Sequence, residues 1–468
     1  MSCKKVSPIA SASALATHPD SQYTLHHCPC KHPLHSPKSV DIFCRVIDNY
    51  GDIGVAWRLA KNLAAALHHP STQSADTEAD NDTDAETNAT STKPRVRLWV
   101  DDLQRFAKIE AQVNPCKTQQ TLTIYADYAD RLSLCQRAED EPEKISIEVR
   151  QWPALMHEQD FAKSAELVIE TFGCDLPAAY LAAMPQNTQC WLNLEYLSAE
   201  DWIDGFHQQP SLQSNGVPKY FYFPGFSTRS GGLLREDSLL SSLARFTANP
   251  QAQYDFLSRI MTGDCAKLIS HQQARLINVF CYPHAPLQAL IASLKALAES
   301  QQRFILAAAP GVAPNLEALV GNQQPQLRVQ RVPFLPQAQF DLLLSLGDLN
   351  LVRGEDSLVR AHWMGKPFVW HIYQQTEQTH ITKLQAWLKV IGADTQYQEL
   401  TLLWNQIGAK SHDHEALLTL QAYFTAWLQP QAYEQACFFY QTLRDDLAQH
   451  ASLSAQILDF YHQCGQNS

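Results

Sequence analysis

The sequence predicts an α/β protein built from two doubly wound units that face each other across a cleft. Two observations carry this. Short apolar, β-branched runs alternate with helical spacing, and the alternation occurs twice, before and after a helical stretch. In each series a polar, glycine-containing loop follows a strand and opens a helix, where open α/β sheets bind their ligands.

The first series begins at 40–47, a strand by its β-branched and aromatic content. After the loop 48–52, Val55, Leu59, Leu63 and Leu67 carry helical spacing. Strand-like runs recur at 96–100, 145–149, 166–169 and 190–194. The second series has strands at 277–282, 304–307, 329–334 and 349–352, with helical patterns at 287–297 and 336–344. The tail from about 413 to 463 reads as mostly helical. The expected division is a first unit at 39–235, a helical connection at 236–269, a second unit at 270–430, and C-terminal helices at 431–468 that pack back on the first unit. Residues 1–38 lack a period and read as a disordered extension. Residues 69–94, rich in Ser, Thr, Asp and Asn, read as a disordered insertion inside the first unit.

Composition narrows the function. The 468 residues have room for two or three domains, and 45% hydrophobic content supports real cores. The net charge of −12 argues against a protein that binds nucleic acid by neutralising phosphates. No apolar run is long enough to span a membrane and no signal-like apolar segment follows Lys4 and Lys5, so a cytoplasmic location is expected. The twelve cysteines are scattered and do not suggest a disulfide framework. His26, His27, Cys28, Cys30, His32 and His35 cluster, but their spacing fits no standard zinc module and no metal site is expected.

Residues 353–357 read Arg-Gly-Glu-Asp-Ser between a buried strand and a helical pattern. A tight turn that opens a helix aims free backbone N–H groups at its front, and Arg353 adds a donor fork suited to phosphate oxygens. The bland alternative is an ion pair of Arg353 with Glu355 or Asp356. In the other loop Asp48 and Asp52 flank Asn49, Tyr50 and Gly51. No G-x-G-x-x-G or Walker A sequence is present, and two acids would repel a pyrophosphate. This loop suits a base or a cationic acceptor, unless its acids merely cap the helix that follows.

Several motifs in one order make the chain resemble the elongation factor P arginine rhamnosyltransferases. They are the stretch 41–54 with Trp57 and Arg58; Glu170-Thr171-Phe172; Asn193 with Glu195-Tyr196-Leu197; Gly225-Phe226-Ser227; Pro333-Phe334 with Pro336-Gln337; Arg353 to Ser357; and Gly365-Lys366-Pro367 with Trp370-His371-Ile372-Tyr373. The likeness spans about 39–440. Leu358 and Gln374 depart from the pattern, which has Phe and Pro there.

The resemblance implies a GT-B glycosyltransferase of two Rossmann-like domains with an interdomain cleft. It implies inverting, metal-independent transfer of L-rhamnose from dTDP-β-L-rhamnose to an arginine of elongation factor P, which activates that factor for rescue of ribosomes stalled at polyproline. No cofactor beyond the donor substrate is implied. Asp52 is matched to the catalytic base, with Asp48 beside it and Glu355 essential. Donor contacts are matched to Asn49, Tyr50, Gly51, Asp52, Phe280, Tyr282, Gln337, Phe340, Arg353, Gly354, Glu355, Asp356 and Ser357. By residue type, Phe280 or Phe340 suits stacking on thymine or simple core packing. Gln337 suits reading the base edge or a contact at its helix start. Glu355 suits a sugar hydroxyl or Arg353. The alternatives are a GT-B transferase with another nucleotide sugar or acceptor, and a non-catalytic protein-binding module of the same fold.

Overall fold

Thirteen strands form two sheets in the computed structural model, which describes residues 35–47, 50–68, 93–128, 143–152, 163–321, 325–374, 379–407 and 413–466. Asp48, Asn49, the segment 69–92 and all of the Cys/His cluster except His35 lie outside the described residues.

The first sheet contains β1 (Ser39–Cys44), β2 (Arg95–Val100), β3 (Gln119–Tyr125), β4 (Lys144–Gln151), β5 (Leu167–Thr171), β6 (Cys190–Leu194), β7 (Pro210–Ser211) and β8 (Lys219–Tyr222). Their order is β3-β4-β2-β1-β5-β6-β8-β7. Every residue of β5 and β6 is buried, as unbroken apolar runs at the centre of a covered sheet require. The expectation of a parallel sheet covered on both faces needs correction at the edges, where β3 runs antiparallel to β4 and β7 antiparallel to β8. In β3 the residues from Thr121 to Ile124 alternate between exposed and buried, so one face meets water, which an antiparallel edge tolerates.

The second sheet is wholly parallel: β9 (Arg275–Val279), β10 (Phe304–Ala308), β11 (Leu327–Arg331), β12 (Leu349–Arg353) and β13 (Phe368–His371), in the order β11-β10-β9-β12-β13. Both sheets belong to one compact unit, Ser36–Ser468. The helix Gly51–His68 lies where they meet and is buried around most of its circumference, polar Arg58, Lys61 and Asn62 included. Helix Pro430–Ala448 packs on the second half, with the Tyr440 hydroxyl donating to the Phe368 carbonyl at 3.1 Å. Helix Leu453–Gln466 returns to the first, where the Tyr461 hydroxyl donates to Gln189 Oε1 at 2.9 Å. No helix among the described residues is long and apolar enough to cross a membrane.

Strand order fixes where a ligand can sit. Chain order reverses between β1 and β5 in the first sheet and between β9 and β12 in the second. Crevices open at the carboxyl ends of strands at such points. Residues 45–47, residues 50–52 and Phe172 emerge at the first; Phe280 and residues 353–357 emerge at the second.

Candidate active site

The turn after β12 depends on Gly354, whose φ of 62° lies in the left-handed region that a side chain disfavours. The Trp370 indole N–H donates to its carbonyl at 2.8 Å and fixes the peptide. Helix Asp356–Met364 then starts, and its first residues, Asp356 and Ser357, line the crevice. The Ser357 hydroxyl donates to the Arg353 carbonyl, and the Arg353 N–H donates to Ser357 Oγ at 3.1 Å, which closes the turn on itself.

No ion pair among the described residues joins Arg353 to Glu355 or Asp356. The Arg353 guanidinium lies over the rings of Phe280 and Tyr282 instead, 4.7 and 4.9 Å from their centroids. Asp356 pairs with Arg58 at 2.7 Å. Glu355 reaches into the first half, where its Oε2 accepts from the Leu197 backbone N–H at 2.9 Å.

Two cavities adjoin at Gly51, Gly354 and Glu355. The first is mostly apolar and brings together Tyr50, Phe280, Tyr282, Phe340, Gln337 and the whole turn 353–357. Phe280 and Phe340 meet edge to face at 5.3 Å. Tyr50 and Phe334 meet the same way across the two halves, also at 5.3 Å. Gln337 lines this cavity, and its amide spans the halves: its N–H donates to the Gly54 carbonyl and its oxygen accepts from Lys61 Nζ, both at 2.9 Å. Reading a base edge would require these bonds to be exchanged.

The second cavity contains Asp52, Glu355, Phe172, Tyr196, Tyr373 and Lys383. Asp52 stands in the first turn of helix Gly51–His68, and its Oδ2 accepts from the Ile47 backbone N–H at 2.7 Å. That bond runs back into the loop. The turn 353–357, the aromatic pair Phe280 and Tyr282, Gln337, Phe340, Tyr50, Gly51 and Asp52 therefore converge on the two linked cavities. Asp48 and Asn49 lie outside the described residues. Among those described, no cluster of three or more His, Cys, Asp or Glu could hold a metal ion.

Below the cavities lies a buried knot of charge. Asp341 accepts from both terminal nitrogens of Arg58 at 3.0 Å, from Arg360 Nη2 at 2.8 Å, and from the Tyr128 hydroxyl. Arg360 also pairs with Glu236 at 2.7 Å. Burial opposes the charge on Arg58, but Asp341 and then Asp356 outweigh it, and the guanidinium pKa is raised. On the far side of Arg353, burial foremost, then the charges of His284 and Arg353, push His371 down to about 3. Its uncharged Nδ1 accepts from the Tyr282 N–H at 3.2 Å.

Sequence reasoning did not single out Arg58, Phe172, Tyr196 or Phe334 as site residues, although each lies in a motif quoted for the resemblance. Arg58 had a readable signal, a charged residue inside an apolar helical run. Phe172 had none, because nothing in a sequence marks a phenylalanine for positive φ.

The architecture is that of the GT-B glycosyltransferases. A solved structure described as the structural basis for EarP-mediated arginine glycosylation of translation elongation factor EF-P is similar with a TM-score of 0.51 and 25% identity, over 91% of this chain and 99% of that one. The family model described as Elongation-Factor P (EF-P) rhamnosyltransferase EarP matches residues 40–72 and 85–462. The chain belongs to that family. Two relatives named protein-arginine rhamnosyltransferase illustrate the spread: one from Pseudomonas aeruginosa is 37% identical over 90% of this chain and 98% of its own length. One from Neisseria meningitidis serogroup B is 34% identical over 75% and 78%. The protein is an enzyme of this class.

Proposed function

We propose that the enzyme transfers L-rhamnose from dTDP-β-L-rhamnose to an arginine side chain of elongation factor P, with inversion at the sugar carbon. The observation that carries this reading is the pair of adjoining cavities parted at Gly354 and Glu355, one fronted by an anion-binding turn and the other floored by Asp52.

In this reading Arg353, Ser357 and the helix start at Asp356 hold the diphosphate and stabilise the charge that develops as it leaves. Phe280 or Phe340, which meet edge to face, offers ring surface to thymine. Tyr50 and Gly51 line the donor cavity from the first half, and Asn49 is assigned to the donor by the resemblance alone. Gln337 reaches the base once its bonds across the halves are released.

The acceptor is the harder partner. A guanidinium has a pKa above about 12 and its nitrogens are poor nucleophiles while the charge is delocalised. Asp52, with Asp48 as orienter, localises that charge and takes the proton as the C–N bond forms. Attack comes on the face opposite the diphosphate through an oxocarbenium-like transition state. Glu355, anchored by the Leu197 N–H, sits at the boundary where sugar and acceptor meet. A modified elongation factor P would then serve ribosomes stalled at polyproline.

Mass spectrometry of elongation factor P incubated with the enzyme and dTDP-L-rhamnose tests this. The expected result is a gain of one deoxyhexose on a single arginine. No gain with this donor, but a gain with another nucleotide sugar, would assign a different donor to the same fold.

A further inference from the structure

The cavity that contains Asp52 has an aromatic wall to which the chemistry above gives no task. Phe172 leaves β5 beside the reversal point of the first sheet with a φ of 58°, a conformation unfavourable for a bulky side chain. Hydrogen bonds hold it there: the Phe172 N–H donates to the Leu194 carbonyl at 2.7 Å, and the Gly173 N–H to Asn193 Oδ1 at 3.0 Å. Backbone strain maintained by its surroundings is a mark of functional sites. Here it lays the Phe172 ring on Tyr196, with centroids 4.4 Å apart and planes 13° from parallel. Tyr196 remains 37% exposed in the cavity wall. The next residue, Leu197, is tied through its N–H to Glu355. The ring is thus tethered to one carboxylate of the cavity, with Asp52 the other.

A guanidinium is flat and weakly hydrated across its faces, and all its donors point out from its edge. It is satisfied by an aromatic face beneath it and carboxylates around its rim. An ammonium, compact and strongly hydrated, gains less from such a surface. Two carboxylates against Lys383 leave the cavity lining net negative, which fits a cationic guest.

We propose that Tyr196, backed by Phe172, is the platform on which the acceptor arginine lies flat, and that it selects arginine over lysine. This rests on the function proposed above. The platform orients the guanidinium so that one edge nitrogen faces the sugar and Asp52, its base, while Glu355 holds another part of the rim. Tyr196 is a specificity-determining residue that handles the acceptor and not the donor.

The test compares wild type, Tyr196→Ala, Tyr196→Leu and Tyr196→Phe, measuring kcat and KM for elongation factor P and, separately, Kd for dTDP-L-rhamnose. Loss of a stacked cation is worth roughly a tenfold rise in acceptor KM for Ala and Leu. Tyr196→Phe keeps the ring and should stay within about threefold of wild type. Donor Kd should be unchanged in all three. An unshifted KM in Leu, or a parallel loss of donor affinity, overturns the platform; so does a Phe variant as impaired as Leu. The Leu variant keeps bulk on Phe172 and decides the matter if the Ala variant does not fold. Failure of the wild type to modify elongation factor P overturns the functional reading, and the platform with it.

Discussion

Asp52 and Arg58 project from the same helix, Gly51–His68, and end in opposite kinds of surroundings. Arg58 enters a sealed knot where guanidinium groups are matched against Asp341, Asp356 and Glu236. Asp52 floors a cavity and is oriented by a backbone N–H, as Glu355 is across from it. A guanidinium partner neutralises a carboxylate. A neutral peptide N–H fixes its direction and leaves its charge. The knot holds the two halves together, whereas each cavity carboxylate is held in direction by a backbone N–H. Residue type alone does not separate these tasks; the identity of the hydrogen-bond donor does.

The sharpest break on the cavity side is Asp52→Asn. It keeps the shape and removes the base, so turnover should fall by about 10²–10⁴ while donor Kd stays near wild type. Equal loss of donor affinity, measured by calorimetry, would show that Asp52 serves binding. On the knot side, Arg58→Met leaves Asp341 and Asp356 short of a buried cation and should cost about 3–5 kcal/mol in urea unfolding. A loss under 1 kcal/mol would mean that Arg360 alone satisfies Asp341.

Gln337→Ala lies between the two regions. Removing both of its cross-cleft bonds takes one hydrogen-bond acceptor from Lys61, which is 8% exposed, and should cost about 1–3 kcal/mol. Weaker donor binding with unchanged stability would place Gln337 on the ligand side of the comparison.

The last effect is read against pH. Burial pushes His362 down to about 3, as it does His371, while the unfolded value is near 6.5. Between these values the unfolded chain binds protons that the native state does not. Stability is therefore complete above pH 6.5 and falls as pH drops toward 3, by up to about 1.4 kcal/mol per pH unit for each histidine. His362→Gln keeps an acceptor for the Trp387 indole N–H, now 3.1 Å from His362 Nε2, and should flatten the slope between pH 6 and 4 by one such contribution. An unchanged slope would show that His362 is charged in the native state.

Much of the fold was legible. Strand runs and helical spacing survive translation into β1, β2, β4, β5, β6 and β9 to β12, because each carries apolar residues in a run or, as in β4 and β11, in alternation. Ends were less legible. The strand expected over 40–47 stops at Cys44, where side chains capture the backbone: Val46 N–H donates to Asp101 Oδ1 at 2.9 Å, and Ile47 N–H to Asp52. The run at 329–334 becomes Leu327–Arg331, and the chain leaves the sheet before Pro333. Strands β3, β7, β8 and β13 were missed: β3 opens on three polar residues, and the others are only two to four residues long.

The site divides in the same way. The turn 353–357 could be read because glycine and arginine at a strand end state their purpose locally. The Asp341 knot could not, since Arg58 and Asp341 are 283 residues apart and neither sequence neighbourhood mentions the other.

That separation has a consequence for how the chain is made. The first half leaves the ribosome with Arg58 on the helix face that the second half will cover. Until Asp341 is synthesised, the charge of Arg58 must remain in water, because a buried cation without its carboxylate costs several kcal/mol. The helix Gly51–His68 therefore cannot be sealed during synthesis of the first sheet. Its inner face stays wet through most of translation and dries only when the later helices arrive. Completing the enzyme is a late, long-range event, and the nascent first half is a client for whatever shields exposed surface in the meantime.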